Sequence, residues 1–220
     1  QFATMKVPVA MNAARRRALA ALLLLPMAGV PALAQDKSKI VLVVGDSVSA
    51  GYGLGNGEGW VALLAEKLKQ AKSPYTVVNA SISGDTTSGG RARLPALLAQ
   101  HKPAVVIIEL GGNDALRGGR LQTTRENLDA MVKDAQAAGA KVLLVGMDIP
   151  PNYGPAYVKE FNALFADVAK ARKVPLVPSF FAGFGEDLGS FQGDRIHPTL
   201  AAQPKLLANV WPSLEPLLRP

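Results

Sequence analysis

The strongest constraint on the fold is a series of short apolar runs alternating with amphipathic segments. The runs are KIVLVV (39–44), YTVVNA (75–80), AVVIIEL (104–110), KVLLVGM (141–147) and the shorter VPLVP (174–178). Several are near-continuous Val, Ile and Leu, as strands covered on both faces require. The segments between them read as helices: one from Trp60, one from Arg91, one from Thr124 that stops at Gly139, and one from Tyr157 to Arg172. A glycine just past a helix end is a common terminator. A last helix is expected over 200–218 despite its prolines. This alternation predicts an α/β fold with a parallel sheet.

The chain has 220 residues, 49% of them hydrophobic, which suits one domain with a substantial core. That domain is expected over 35–220, since no repeat, linker or low-complexity tract divides it. The net charge of +7 is unevenly placed. Lys6, Arg15, Arg16 and Arg17 lie ahead of residue 35 with no acid among them, leaving 20 basic and 17 acidic residues from Gln35 onward, or +3. No basic run survives there, so a nucleic-acid partner is not indicated. The early charges precede ALAALLLLPMAGVPALA, which ends in Ala32-Leu33-Ala34. A basic region, a short apolar core and an A-x-A site predict a secretory signal over 1–34, cleaved after Ala34, and a periplasmic or secreted protein. The apolar run is short for a stable membrane span and is interrupted by Pro26 and Pro31. The chain contains no cysteine, which excludes disulfides and thiolate chemistry.

Ligands of open parallel sheets bind beyond the carboxyl ends of the strands. Polar residues stand at the ends of the first three strands: Asp46-Ser47, then Ser83-Gly84-Asp85, then Gly112-Asn113-Asp114, with Asp194 and His197 late in the chain. A hydroxyl, glycine amides, a side-chain amide, a carboxylate and an imidazole are the groups that acyl transfer needs. His101 closes a helix before a buried strand, where a cation complements the helix dipole. His197 is held out of the α conformation by Pro198. Asp194, three residues earlier, is near enough to accept a proton from Nδ1 and leave Nε2 free for a serine. A helix-entry turn with an incidental aspartate reads equally well from the local sequence. Among five candidate serines, position favours Ser47, although Asp46 and Ser47 would also serve as ordinary helix caps.

Other chemistries fit less well. The G-x-S-x-G elbow of ordinary α/β-hydrolases is absent, Ser47 being flanked as Gly45-Asp46-Ser47-Val48-Ser49. GYGLGNGEG (51–59) matches neither phosphate-loop pattern and reads as a backbone-exposing loop beside the site. Two histidines in dissimilar surroundings make a poor transition-metal site. Asp46, Asp85, Asp114 and Asp194 as a hard-cation cluster are a weaker reading than the serine.

GDSVSAG (45–51), NASISGDTT (79–87), ELGGNDALRG (109–118) and DRIHP (194–198) resemble, in order, the four blocks of the SGNH or GDSL hydrolases. The likeness covers nearly all of the chain after residue 34. It is nearest the periplasmic acyl-thioesterase, lysophospholipase and arylesterase branch. The resemblance implies a three-layer α/β/α, flavodoxin-like sandwich on a five-stranded parallel sheet. It makes Ser47 the nucleophile, His197 the base and then acid, and Asp194 its orienting partner. The N–H groups of Ser47 and Gly84 and the Asn113 amide would form the oxyanion hole. Ile149, Pro150 and Tyr153 would shape the acyl groove, and Asp46 would sit at the substrate site, bracing the loop. The substrates implied are small acyl esters, thioesters or lysolipids, with a carbohydrate O-deacetylase as the alternative, and no cofactor is needed. The oligomeric state is left open. This chain departs from the branch at Gly193 and Arg195, where an acid and a glycine flank the catalytic aspartate, and over FFAGFGEDLGSFQ.

Overall fold

The computed structural model describes residues 38–149 and 151–219. The expected signal segment and Pro150 lie outside the described residues.

Five parallel strands form the sheet: β1 (Lys39–Gly45), β2 (Tyr75–Asn79), β3 (Val105–Glu109), β4 (Lys141–Val145) and β5 (Leu176–Val177). Their order is β2-β1-β3-β4-β5, the flavodoxin-like arrangement of a doubly wound sheet. Val41–Val44 of β1 and Val105–Ile108 of β3 have no exposed surface, which is why these strands carry no polar alternation. Helices α3 (Thr87–His101), α5 (Leu121–Ala137) and α6 (Pro155–Arg172) pack along one face, and α2 (Trp60–Gln70) with α7 (Gln203–Leu214) along the other. Two short helices follow strands directly: α1 (Ser47–Ala50) after β1 and α4 (Gly112–Leu116) after β3. No helix among the described residues is long and apolar enough to cross a membrane.

Element types follow the sequence reading, and the boundaries differ where side chains override propensity. α3 starts at Thr87, four residues before Arg91, because the Thr86 hydroxyl caps the N–H of Gly89. Gly89-Gly90 looks like a breaker but continues the helix, and a Cβ at Gly90 would lie 2.3 Å from the buried Leu110 Cδ1. α5 ends as expected at Gly139. There the Gly139 N–H reaches Gln136 O and the Ala140 N–H reaches Ala135 O, a Schellman closure with Gly139 at φ +83. The helix expected over 200–218 is α7 flanked by 3₁₀ turns at Leu200–Ala202 and Glu215–Leu218. Pro204 and Pro216 fall in first turns, where proline is tolerated, and Pro212 removes one donor from inside α7.

The sheet order reverses between β1 and β3, so the crevice above their carboxyl ends is the switch point where such folds bind ligands. Ser47 begins the helix after β1, and Asn113 lies in the helix after β3.

Candidate active site

Four separate segments meet above this crevice. Ser47 is the first residue of α1, where the Asp46 side chain caps the helix by accepting from the Val48 N–H at 3.0 Å. His197 rides on a hairpin whose arms are tied by the Gln192 N–H to His197 O bond and the Thr199 N–H to Ser190 O bond. Its imidazole spans the gap to both partners: Nε2 lies 2.7 Å from Ser47 Oγ, and Nδ1 lies 2.6 Å from Asp194 Oδ2. The Asp194 Oδ1 accepts the backbone N–H groups of Ile196 and His197 at 2.9 and 3.0 Å. Burial opposes ionisation of Asp194, but these bonds prevail and hold the carboxyl down at about 2. An ionised carboxylate only accepts, so the Nδ1 proton points at it and Nε2 is left to accept from the serine hydroxyl.

Gly84 sits in the β2–α3 connection at φ +78, a left-handed conformation that suits glycine. Two arginines hold that loop. Arg93 ties Asp85 at 2.8 Å, the Ala80 carbonyl and the Gly45 carbonyl, and Arg117 Nη2 donates to Gly84 O at 2.8 Å. Asn113 donates from Nδ2 to Asp46 Oδ2 at 3.1 Å. Asp46, grouped with the substrate residues in the sequence reading, is only 2% exposed. It contacts the site through Asn113.

Beneath Asp46 lies a buried polar layer. Glu109, at the end of β3 and in register with Gly45, has no exposed surface. Its Oε2 accepts from Ser49 Oγ at 2.5 Å and from the Asp46 N–H at 3.4 Å, and Trp60 Nε1 donates to the same Ser49 hydroxyl at 3.2 Å. A Cβ at residue 45 would lie 2.6 Å from Glu109 Oε2, so the glycine ahead of Asp46 is a packing requirement. Burial raises the Asp46 carboxyl to about 6. Burial first, and the neighbouring Asp46 second, hold Glu109 well above the ordinary range.

A raised carboxyl costs stability as pH rises, because the unfolded chain releases its proton near 4 and the folded Asp46 only near 6. Stability is therefore full below about pH 4 and lost as pH rises through about 6. Asp46→Asn is expected to flatten this slope, retaining about 2–3 kcal/mol that the wild type loses across the window. Its amide has one acceptor oxygen and cannot serve both Val48 and Asn113. Turnover at neutral pH should therefore fall about 100-fold. Denaturant unfolding at pH 4 and pH 7 checks the first expectation, and identical slopes in the two proteins would overturn it.

The remaining sequence candidates fall elsewhere. Ile149 is 8% exposed and packs into the core. Tyr153, half-buried, donates from its hydroxyl to Leu116 O at 3.2 Å and lies beside Tyr157. His101 ends α3 as the basic residue of its last turn. The four aspartates weighed as a cation cluster each have their own protein donors: Asp85 binds Arg93, Asp114 binds Thr87, and the other two are described above. A cavity of about 130 Å³ lined by Ser49, Gly51, Leu54, Gly59 and Asn79 contains neither Ser47 nor His197, so it is not the reaction pocket. Arg195 takes φ +59 at the hairpin turn, which accounts for the glycine implied there by the resemblance.

Three contacts escaped the sequence reading. Tyr52 lies over His197, with ring centroids 4.4 Å apart, and Gln192 Nε2 holds the Tyr52 carbonyl at 2.8 Å. Arg93 joins the β1 and β2 loops. Of the third, the Glu109–Ser49–Trp60 layer, the only local hint was a lone acid ending an otherwise apolar strand.

Residues 43–203 match the GDSL-like lipase/acylhydrolase family. The chain belongs to that family. It is an enzyme, a serine hydrolase acting on carboxylic esters and thioesters of fatty acids. It is 56% identical over 184 residues to Esterase TesA of Pseudomonas aeruginosa, a match covering 84% of this chain and 92% of that protein. The crystal structure of TesA superposes with a TM-score of 0.80, covering 81% of this chain and 99% of the crystallised chain. Thioesterase 1/protease 1/lysophospholipase L1 of Escherichia coli K12 is 44% identical over 178 residues, covering 81% of this chain and 84% of that protein. The psychrotrophic esterase EstA of a Pseudoalteromonas species, solved with monoethylphosphonate as inhibitor, has a TM-score of 0.77 at 40% identity. That match covers 82% of this chain and 98% of EstA.

Proposed function

We propose that Ser47 is the nucleophile of an exported esterase and thioesterase. Its Oγ attacks the acyl carbonyl while His197 Nε2 accepts the hydroxyl proton, and Asp194 stabilises the imidazolium that forms. The N–H groups of Ser47 and Gly84 and the Nδ2 of Asn113 receive the negative charge on the carbonyl oxygen. His197 then returns the proton to the departing alcohol or thiol, leaving acyl-Ser47. Water, deprotonated by the same imidazole, attacks the acyl-enzyme and releases the fatty acid. No step calls for a cofactor. The observation that carries this reading is the continuous Ser47–His197–Asp194 chain, with contacts of 2.7 and 2.6 Å across 150 residues of sequence.

Acyl-CoA thioesters, lysophospholipids and aryl esters are the proposed substrates; the E. coli relative is named a thioesterase and lysophospholipase, and a Vibrio mimicus relative an arylesterase. Ile149, Pro150 and Tyr153 are proposed to border the acyl chain. The basic and apolar segment ending at Ala34 supports a periplasmic or secreted location. A fluorophosphonate should label Ser47 stoichiometrically. A series of aryl esters of increasing acyl length should favour chains longer than acetate. Absence of labelling, or strict acetate preference, would overturn the assignment.

A further inference from the structure

Ser47 and His197 stand 150 residues apart in the chain, so their contact depends on what joins the segments that carry them. One side chain outside the Ser47–His197–Asp194 chain does so directly. Gln192 Nε2 donates to Tyr52 O at 2.8 Å, on the Ser47 segment, and to Pro198 O at 3.2 Å, beside His197. Carbonyls only accept, so the amide nitrogen must face both. The hairpin does not need this side chain. The bonds from Gln192 N–H to His197 O and from Thr199 N–H to Ser190 O close it through backbone. Gln203 Nε2 also reaches Pro198 O, at 3.3 Å. What the Gln192 side chain adds is its hold on Tyr52.

Tyr52 needs such a hold. Its N–H donates to Ser47 O at 3.0 Å, but it stands between Gly51 and Gly53, both left-handed at φ +76 and +74. Glycines confer the most backbone freedom, so the local chain does not fix where the ring lies. Gly53 also leaves the space that Gln192 fills, since a Cβ there would collide with Gln192 Oε1. Tyr52 is 52% exposed, and its ring faces His197 with centroids 4.4 Å apart and planes tilted by 37°. That is inside the distance of about 6 Å at which an aromatic face attracts a cation. The imidazole that accepts the Ser47 proton is neutral before the transfer and cationic after it. The attraction therefore grows along the reaction, and a contact stronger in the transition state than in the ground state raises kcat.

We propose that Gln192 is a positioning residue for ester hydrolysis, holding the Tyr52 ring over His197 so that its π face stabilises the imidazolium formed as Ser47 attacks. The inference rests on the serine-hydrolase reading given above and adds to it two side chains outside the proton chain and the oxyanion hole.

The test reads kcat and KM on a short soluble aryl ester. Tyr52→Leu keeps an apolar cover but removes the π face, and should lower kcat about fivefold with KM little changed. Tyr52→Phe should recover most of that loss. Phenylalanine carrying one, two or three ring fluorines in place of Tyr52 keeps the shape while draining the π face. With these residues kcat should fall at each added fluorine, to about fivefold at the third. Gln192→Ala should also cost about fivefold, through loss of the tie. Because Gln192 acts through Tyr52, the Tyr52→Leu/Gln192→Ala protein should stay near a fivefold loss rather than reach about 25-fold. A kcat indifferent to fluorination overturns the proposal, since the ring then only packs. So does a multiplicative double variant, which would place the effect of Gln192 on the hairpin, or a loss confined to KM, which would make Tyr52 a substrate contact. Each of these results leaves the hydrolase reading standing. A wild type that neither hydrolyses the ester nor takes a fluorophosphonate label at Ser47 would sink both.

Discussion

Ser47→Ala is expected to lower turnover of an aryl ester by about 10⁵–10⁶-fold, and His197→Ala by a similar factor. The reason is the shared proton. A serine hydroxyl is a weak nucleophile until a base removes its proton, and the proposed base, His197 Nε2, lies 2.7 Å from it. Each substitution disables the same step, so the double variant should be no slower than either single one. Ser47 is 8% exposed, and losing one oxygen atom there should leave the thermal unfolding midpoint within a few degrees. Turnover measured with the unfolding midpoint separates a chemical loss from a folding loss. Substantial activity in Ser47→Ala would sink the mechanism, and an additive double variant would show that the two residues do not act on one proton.

The second large effect is expected at Asp194. Asp194→Asn should cost about 10⁴-fold, because an amide facing Nδ1 can present N–H and impose the wrong imidazole tautomer. Asp194→Ala should be milder, since the imidazole loses its orienting partner but is not forced into that tautomer. The wild-type carboxyl lies at about 2, below the ordinary aspartate range, so its stabilising bonds persist above about pH 4 and are lost as pH falls through about 2. Turnover of the two variants at neutral pH checks the order. An alanine variant slower than the asparagine variant would show that Asp194 acts as more than an orienting group.

The parts of the fold visible in the chain were those encoded locally. A strand buried on both faces must be apolar at successive positions, and β1 and β3 are. A helix closed by Gly139 announces its own end. Boundaries were harder where a long-range contact outweighed a local preference, as at Gly90. Its missing side chain admits Leu110, and its helix-breaking tendency is overruled.

The candidate site divides in the same way. Ser47, Gly84, Asn113, Asp194 and His197 stand at strand ends or in a short block, where their residue types alone suggest acyl chemistry. The residues that support them carry no such mark. Glu109 looks like the polar end of a strand, and Trp60 like the first apolar residue of a helix. Tyr52 is one of four non-glycine residues in a glycine-rich loop that is otherwise featureless. Their roles come from packing: Glu109 beneath Asp46, Trp60 on Ser49, and Tyr52 on His197.

By itself the sequence determined the fold class, the segments that would carry polar groups, and the family resemblance. These depend on the order of residue types along the chain and on spacings of a few residues. The tertiary structure alone decided which serine meets the histidine, and it turned Asp46 from an ambiguous cap into the acceptor that holds Asn113. Those outcomes depend on the sheet order β2-β1-β3-β4-β5. By placing β3 beside β1, it brings residue 109 under residue 46 and residue 113 beside it, an adjacency that hydrogen bonds between distant strands create and neighbouring residues do not encode.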